Sequence, residues 1–261
     1  MRFHRLPVKD PRTVARDIPG ICDLLFPQLI PAIIIYLNRQ AKSFVKCSSV
    51  PETLTRKMSV PAAMLFEVAY ARTEHLLNNT CENWDSYLQT ALKRQARFFD
   101  AQLVKNLTPT DIEIAERTSD NLLVALRELE IQQNSTLNVA PIIPGYQWIA
   151  QGDGDFSIEK TLIEVKCSSK NFGSADYRQL LIYWLLSFSG DLESKAIEWE
   201  TGILLNPRLN KYIEVDFNSL ISLVSAGRSK VEILELFDSI VSDYTIKLLG
   251  SSIENKNRGW A

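Results

Sequence analysis

The sequence predicts an α/β protein, with a helical front half and a small sheet flanked by helices. Three observations carry that expectation. Apolar residues recur at helical spacing through much of residues 1 to 106, and again after Pro109. Short β-branched runs divided by turn residues fall between about residue 139 and Val165. Two more such runs, Ile197–Leu205 and Tyr212–Phe217, follow an intervening helical segment.

In chain order, Ala62, Met64, Leu65, Val68, Ala69, Leu76 and Leu77 line one face of a helix, and Trp84 to Phe99 read as another. Thr108-Pro109 marks a helix start, because proline is tolerated at the first helical position. That helix runs to about Gln132 with Ile112, Leu122, Leu123, Leu126 and Leu129 as its buried stripe, and residues 133–136 close it. Pro141, Pro144 and Gly145 punctuate an edge strand that continues through Trp148 and Ile149. Residues 152–167 read as a hairpin with a two-residue turn at Glu159-Lys160. Asp176 to Leu186 form a helix with a buried face, and Ser174 is its expected N-cap. Two further helices follow the last strand, and a polar tail begins at Ser251. The expected division is a helical region over 1–106, a sheet-containing core over 107–250 and a tail over 251–261.

Composition excludes several classes of protein. The chain is 46% apolar and 23% charged, which is ordinary for a soluble globular protein, and its 261 residues suit one large domain or two small ones. Cys22, Cys47, Cys81 and Cys167 are irregularly spaced, with no C-x-x-C pair. That pattern argues against a zinc module or a disulfide framework, and for a reducing cytoplasmic setting. Two histidines, His4 and His75, argue against a histidine-built metal site. The charged, proline-containing N-terminus does not read as a signal peptide. The longest apolar stretch, Leu24 to Leu37, is too short to cross a bilayer and reads as buried core or a partner-facing helix. No membrane partner is therefore expected. A formal net charge of −2 gives no global attraction to nucleic acid, so binding would need local cations such as Lys166, Lys170, Arg178, Arg208 and Lys211.

The hairpin carries the chemistry. Its turn sets Ile158 opposite Thr161 and Asp155 opposite Glu164. Alternation puts Leu162, Glu164 and Lys166 on one face and Ile163, Val165 and Cys167 on the other. Carboxylates placed directly opposite each other repel. A divalent cation between them would relieve that cost, with Lys166 beside it. Asp153, between Gly152 and Gly154, reads as a turn residue. Gln179 and Tyr183 are four residues apart and share one face of the following helix.

Asp155, then Glu164-x-Lys166, then Gln179-x-x-x-Tyr183 resemble the motifs of the PD-(D/E)XK nuclease superfamily, in its RecB-like branch. The resemblance covers roughly residues 139 to 216. It implies a restriction-endonuclease-like core, a small mixed sheet flanked by helices, and a nuclease dependent on Mg²⁺ or Mn²⁺. By that resemblance Asp155, Glu164 and the Val165 carbonyl hold the metal, while Lys166 positions water or stabilises the charge on the phosphorane. Gln179 and Tyr183 orient water or contact a phosphate. A further carboxylate from an upstream helix is expected at Glu67, with Glu113 and Glu116 competing. Arg178 and Lys170 are the expected nucleic-acid contacts, and Phe172 either stacks on a base or anchors its loop. DNA is the expected substrate, RNA is not excluded, and prokaryotic phage defence or DNA processing is the expected setting. The chain has no Walker-type loop, so any motor would be a helicase or ATPase partner; a second copy of the chain is the other expected partner. The alternative is a catalytically inactive nucleic-acid-binding or scaffolding subunit.

Overall fold

In chain order the strands are β1 (Leu137–Val139), β2 (Ile142–Ile143), β3 (Gly152–Asp153), β4 (Phe156–Ile158), β5 (Thr161–Val165), β6 (Thr201–Asn206) and β7 (Lys211–Asp216), in a computed structural model that describes residues 9–17, 20–96, 104–194 and 197–257. Five of them form one sheet in the order β1-β4-β5-β6-β7, and β2 pairs with β3 separately. The β5–β6 pair is parallel and the other pairs are antiparallel, so the sheet is mixed. Parallel neighbours need a crossover, and the long helix between β5 and β6 supplies it.

The helices are α1 (Pro11–Asp17), α2 (Ile21–Leu25), α3 (Pro31–Asn38), α4 (Glu52–Thr55), α5 (Ala62–Leu77), α6 (Trp84–Gln95), α7 (Pro109–Gln133), α8 (Ser174–Ser194), α9 (Phe217–Val224) and α10 (Lys230–Asn257). Helix α7 is bounded as its sequence dictates. Thr108 and Asp111 form a reciprocal capping box, Pro109 sits at the first turn, and Asn134 ends the helix in the left-handed region at φ 49°.

The two faces of the sheet feed different cores. Phe156, Ile158, Ile163, Val165, Ile203 and Leu205 pack on Leu122, Ala125, Leu126 and Leu129 of α7. Leu162, Leu204, Ile213 and Val215 join Leu180, Leu181 and Trp184 of α8, with α1, α2, α9 and α10 closing that side. Each of the valine, leucine, isoleucine and phenylalanine side chains among them, fully buried, stabilises the fold by roughly 1.5–3 kcal/mol before entropy is counted. A third cluster lies between α5, α6 and the start of α7. Residues before 107 are shared among these cores: Val14, Ala15 and Leu25 are buried with α8, and Phe44 with α7 and the sheet.

Several expectations shift. The edge strand is β1, ahead of Pro141, whereas Trp148 and Ile149 are buried in a loop whose backbone bridges to Lys9 and Tyr146. Ile114, not Ile112, lies on the buried stripe of α7. Asp153 is exposed in β3, paired with Ile142, rather than in a turn. Ser174 is already helical: the Gly173 N–H donates to Asp176 Oδ2 (2.8 Å), so the α8 start is tied by Asp176 instead. Residues 197–200 precede β6 without joining it. Helix α6 ends at Gln95, and its expected continuation to Phe99 lies outside the described residues. Helix α10 runs on through Asn257, taking in most of the polar segment after Ser251, whose last residues, 258–261, lie outside the description.

The apolar stretch from Leu24 to Leu37 divides between both of its readings. Leu25, Phe26, Leu29 and Leu37 are buried, while Leu24, Ile30, Ile35 and Tyr36 face solvent. Among the described residues no helix is long and apolar enough to cross a membrane.

Candidate active site

The β4–β5 turn is closed by Glu159 and Lys160, with Glu159 in the left-handed region at φ 48°. That turn pairs Ile158 with Thr161 and Phe156 with Ile163. One residue further, just past the end of β4, Asp155 stands opposite Glu164. The sheet itself holds the first carboxylate: Asp155 Oδ2 accepts the Val165 N–H at 2.7 Å. The Asp155 N–H approaches Glu164 Oε1 at 3.4 Å.

Glu164 is completely buried, so its charge must be met from within. Lys166, two residues on and therefore on the same face, places Nζ 3.3 Å from Glu164 Oε2. Gln179 of α8 completes the arrangement. Its Nε2 donates to Glu164 Oε2 (2.7 Å) and to the Tyr183 hydroxyl (3.1 Å), while its Oε1 accepts from Lys166 Nζ (2.9 Å). The structure thus brings Asp155, Glu164, Lys166, Gln179 and Tyr183 into one connected group, across two strands and a helix.

Two residues absent from the sequence reading complete the surroundings. Arg12 of α1 lies beside the Tyr183 hydroxyl, in the field of Asp155 and Glu164. Tyr70 of α5 donates its hydroxyl to the Asp155 carbonyl oxygen at 3.2 Å and packs its ring on Phe156, centroids 5.3 Å apart. Tyr70 lies one turn after Glu67 on the same helix, so the expectation of Glu67 at the site held a local signal for it. Asp10-Pro11 marks the start of α1, but nothing local ties Arg12 to α8.

Electrostatics follow from burial. Burial raises the Glu164 pKa, the facing Asp155 raises it further, and Lys166 and Arg12 pull the other way; the result is about 7. Burial also holds Glu67 above the ordinary carboxylate range, opposed by Arg94 and reinforced by Asp155. For Arg12, burial works against the charge, but Tyr183, Asp155 and Glu164 outweigh it and the guanidinium is held more firmly charged than usual. Tyr183 is pushed up by burial and by Glu164, and so stays a neutral hydroxyl at ordinary pH.

Other nominated residues are placed elsewhere. Glu67 reaches the rim of the site, near enough to feel Asp155, but its nearest cation is Arg94 at 4.0 Å. Among the described residues, no group of three or more His, Cys, Asp or Glu side chains is disposed to hold a metal ion. Glu67 therefore does not join Asp155 and Glu164 as a third ligand. Glu113 pairs with Arg117 and Glu116 with Arg72, away from the carboxylate pair. Arg178 is tied to Asp23 of α2 at 2.5 Å, which makes it a tether between α2 and α8 rather than a free phosphate contact. Phe172 is buried and anchors its loop: its N–H donates to Asn38 Oδ1 and its carbonyl accepts from Asn38 Nδ2, so it is not available for base stacking. Lys170 is exposed in the β5–α8 loop.

The donor set near Asp155 suits a hard divalent cation. Lys166 donates its backbone N–H to Leu205 of β6 at 2.7 Å. Strand alternation turns the Val165 amide and carbonyl to the other side, where the Val165 N–H meets Asp155. Two carboxylates and that carbonyl are oxygen donors of the kind Mg²⁺ and Mn²⁺ take, with water completing the shell.

No protein-family model matches the chain, and no curated protein is similar to it in sequence.

Proposed function

We propose that this protein is a Mg²⁺- or Mn²⁺-dependent nuclease that hydrolyses phosphodiester bonds of DNA, in prokaryotic defence or DNA processing. One observation carries the reading. Asp155 and Glu164 oppose each other at the end of the β4–β5 hairpin, with Lys166 held between Glu164 and Gln179. Opposed carboxylates cost stability unless a positive charge joins them, and an ammonium fixed by two partners is a preorganised donor for developing negative charge.

In this reading Asp155, Glu164 and the Val165 carbonyl hold the cation, which when bound activates water and neutralises phosphate oxygens. Lys166 places its ammonium against the phosphoryl oxygen that gains charge. Gln179 keeps Lys166 and Glu164 in register and excludes other rotamers of both. Tyr183, a neutral hydroxyl, orients the Gln179 amide and the polar end of Arg12. The test is degradation of linear and circular plasmid by the purified protein with Mg²⁺, Mn²⁺ or EDTA. Metal-dependent loss of both forms supports endonucleolytic cutting, and loss of the linear form alone supports exonucleolytic cutting. A folded protein that cuts neither form under any of these conditions sinks the reading.

A second reading has its own support. Lys166 and Arg12 already place two positive charges against the two carboxylates. A site balanced in this way can stand without a metal, as a structural network in a nucleic-acid-binding or scaffolding subunit. Calorimetric titration with Mn²⁺ separates the two, because only the nuclease reading requires binding lost in Asp155→Asn.

A further inference from the structure

We propose that Arg12 is a phosphate-binding residue of this site, with its guanidinium gripping the substrate phosphate from the Tyr183 side while Lys166 acts from the Gln179 side. This inference rests on the phosphodiester reading above and extends it to a residue far upstream in sequence.

The first support is how firmly α1 is delivered. Asp10 Oδ1 accepts the Thr13 N–H at 3.0 Å and so caps the helix. The Ala150 N–H donates to the Lys9 carbonyl at 2.9 Å, which stitches the segment before α1 to the loop leading into the hairpin. Pro11 is buried against Gly152, where an added Cβ would come within 2.8 Å of Pro11 Cδ. Only glycine at 152 lets α1 approach this closely. Val14 and Ala15 are buried in the core that contains α8. Arg12 therefore projects from a helix fixed on three sides.

The second support is what Arg12 is not doing. Arg72, Arg94 and Arg178 each close an ion pair at 2.5–2.6 Å with Asp120, Glu74 and Asp23 respectively. Among the described residues Arg12 is in no such pair, although Asp155, Glu164 and Glu67 all lie in its field. Its neighbour Asp10 is taken by Thr13 through both carboxylate oxygens. The partner of the Arg12 side chain is the Tyr183 hydroxyl. A guanidinium has five N–H donors, so one tyrosine leaves most of the fork open. Forked donors match two oxygens of one phosphate, a fit that an ammonium does not reproduce.

The third support is charge. Asp155, Glu164 and Glu67 give the site a negative lining that would repel a phosphodiester. Lys166 offsets one of these charges through its contact with Glu164. A second fixed cation beside the pair lets a phosphate enter, and Arg12 is placed to be that cation.

The test uses the full chain and two variants, Arg12→Gln and Arg12→Lys, with thermal melting as the check on folding. Cleavage of a fluorescein-labelled DNA duplex in Mn²⁺ is followed for kcat and KM. Binding of the same duplex in EDTA, where the proposed reaction cannot run, is followed by fluorescence anisotropy. The expected result is a kcat lower by about 100-fold in Arg12→Gln, duplex affinity lower by about 10-fold, melting close to wild type, and partial recovery in Arg12→Lys. A well-folded Arg12→Gln that cuts and binds like wild type overturns the proposal while leaving the nuclease reading intact. If wild type does not cut, the nuclease reading fails and the binding arm still decides: weaker binding by Arg12→Gln supports the phosphate contact, and unchanged or absent binding overturns it. A purely structural Arg12 would instead lower the melting temperature of both variants and leave kcat of the folded fraction unchanged, which also overturns it.

Discussion

Gln179 donates its side-chain amide to the fully buried Glu164 carboxylate at 2.7 Å, and through the same amide group accepts from the lysine that faces that carboxylate. A helix thereby reads the charge state of a strand. Both amide hydrogens and the carbonyl of Gln179 are engaged, so its orientation is set by the network rather than by packing alone.

Replacing Gln179 with leucine is expected to leave Lys166 and Glu164 each short of a buried partner. Each unsatisfied group costs about 1–3 kcal/mol, so the two together should cost on the order of 2–6 kcal/mol in urea unfolding. A loss below 1 kcal/mol would mean that the network is not holding the site.

Glu164 makes stability depend on pH in a stated direction. Burial and the facing Asp155 raise its pKa to about 7 from a reference of 4.5. The native state then binds more protons than the unfolded chain between those two values. The contribution is fully present below about 4.5 and is lost as pH rises through about 7. In EDTA, Glu164→Gln should abolish that decline and be more stable than wild type at pH 8, relative to pH 5, by on the order of 2 kcal/mol. Parallel stability–pH curves for the two proteins would contradict the assignment.

Divalent cations should stabilise the wild type and not Asp155→Asn. A ligand at about 100 times its dissociation constant adds about 2.7 kcal/mol, which melting curves with and without Mn²⁺ resolve. Equal stabilisation of both proteins would place the cation elsewhere.

The hairpin and the α8 pair were legible in the sequence because both are local. A two-residue turn dictates strand register, so Asp155 and Glu164 are paired by the chain between them. Gln179 and Tyr183 are related by one helical turn. Arg12 reaches the site only because α1 packs on α8, and Arg178 is lost to Asp23 by the packing of α2 on the same helix. Neither relationship has a local signature. Glu67 shows the middle case: its helix was recognisable, but its distance from Asp155 is set by how α5 lies against α7. Trp148 and Ile149 looked like strand residues because they are apolar, but they are buried from a loop, where Trp148 donates its indole N–H to the Val241 carbonyl of α10.

The packing of α8 and α9 on β6 can be tested without reference to chemistry. A Cβ at Gly202 would stand 2.9 Å from Phe217 Cζ and 3.4 Å from both Leu180 methyl groups. Gly202→Ala should therefore destabilise by about 1–3 kcal/mol through overpacking. An unchanged urea midpoint would show that the contacts with Phe217 and Leu180 are looser than this.

The central measurement is cleavage of linear and supercoiled plasmid by wild type and Lys166→Ala side by side, in Mg²⁺ and in EDTA, with melting curves for both proteins. The expected result is cutting by wild type in Mg²⁺ alone, and a loss of about 100-fold or more in a variant that still melts cooperatively. Equal cutting by Lys166→Ala, or cutting that survives EDTA, would contradict the assignment of the reaction to the group around Asp155 and Glu164.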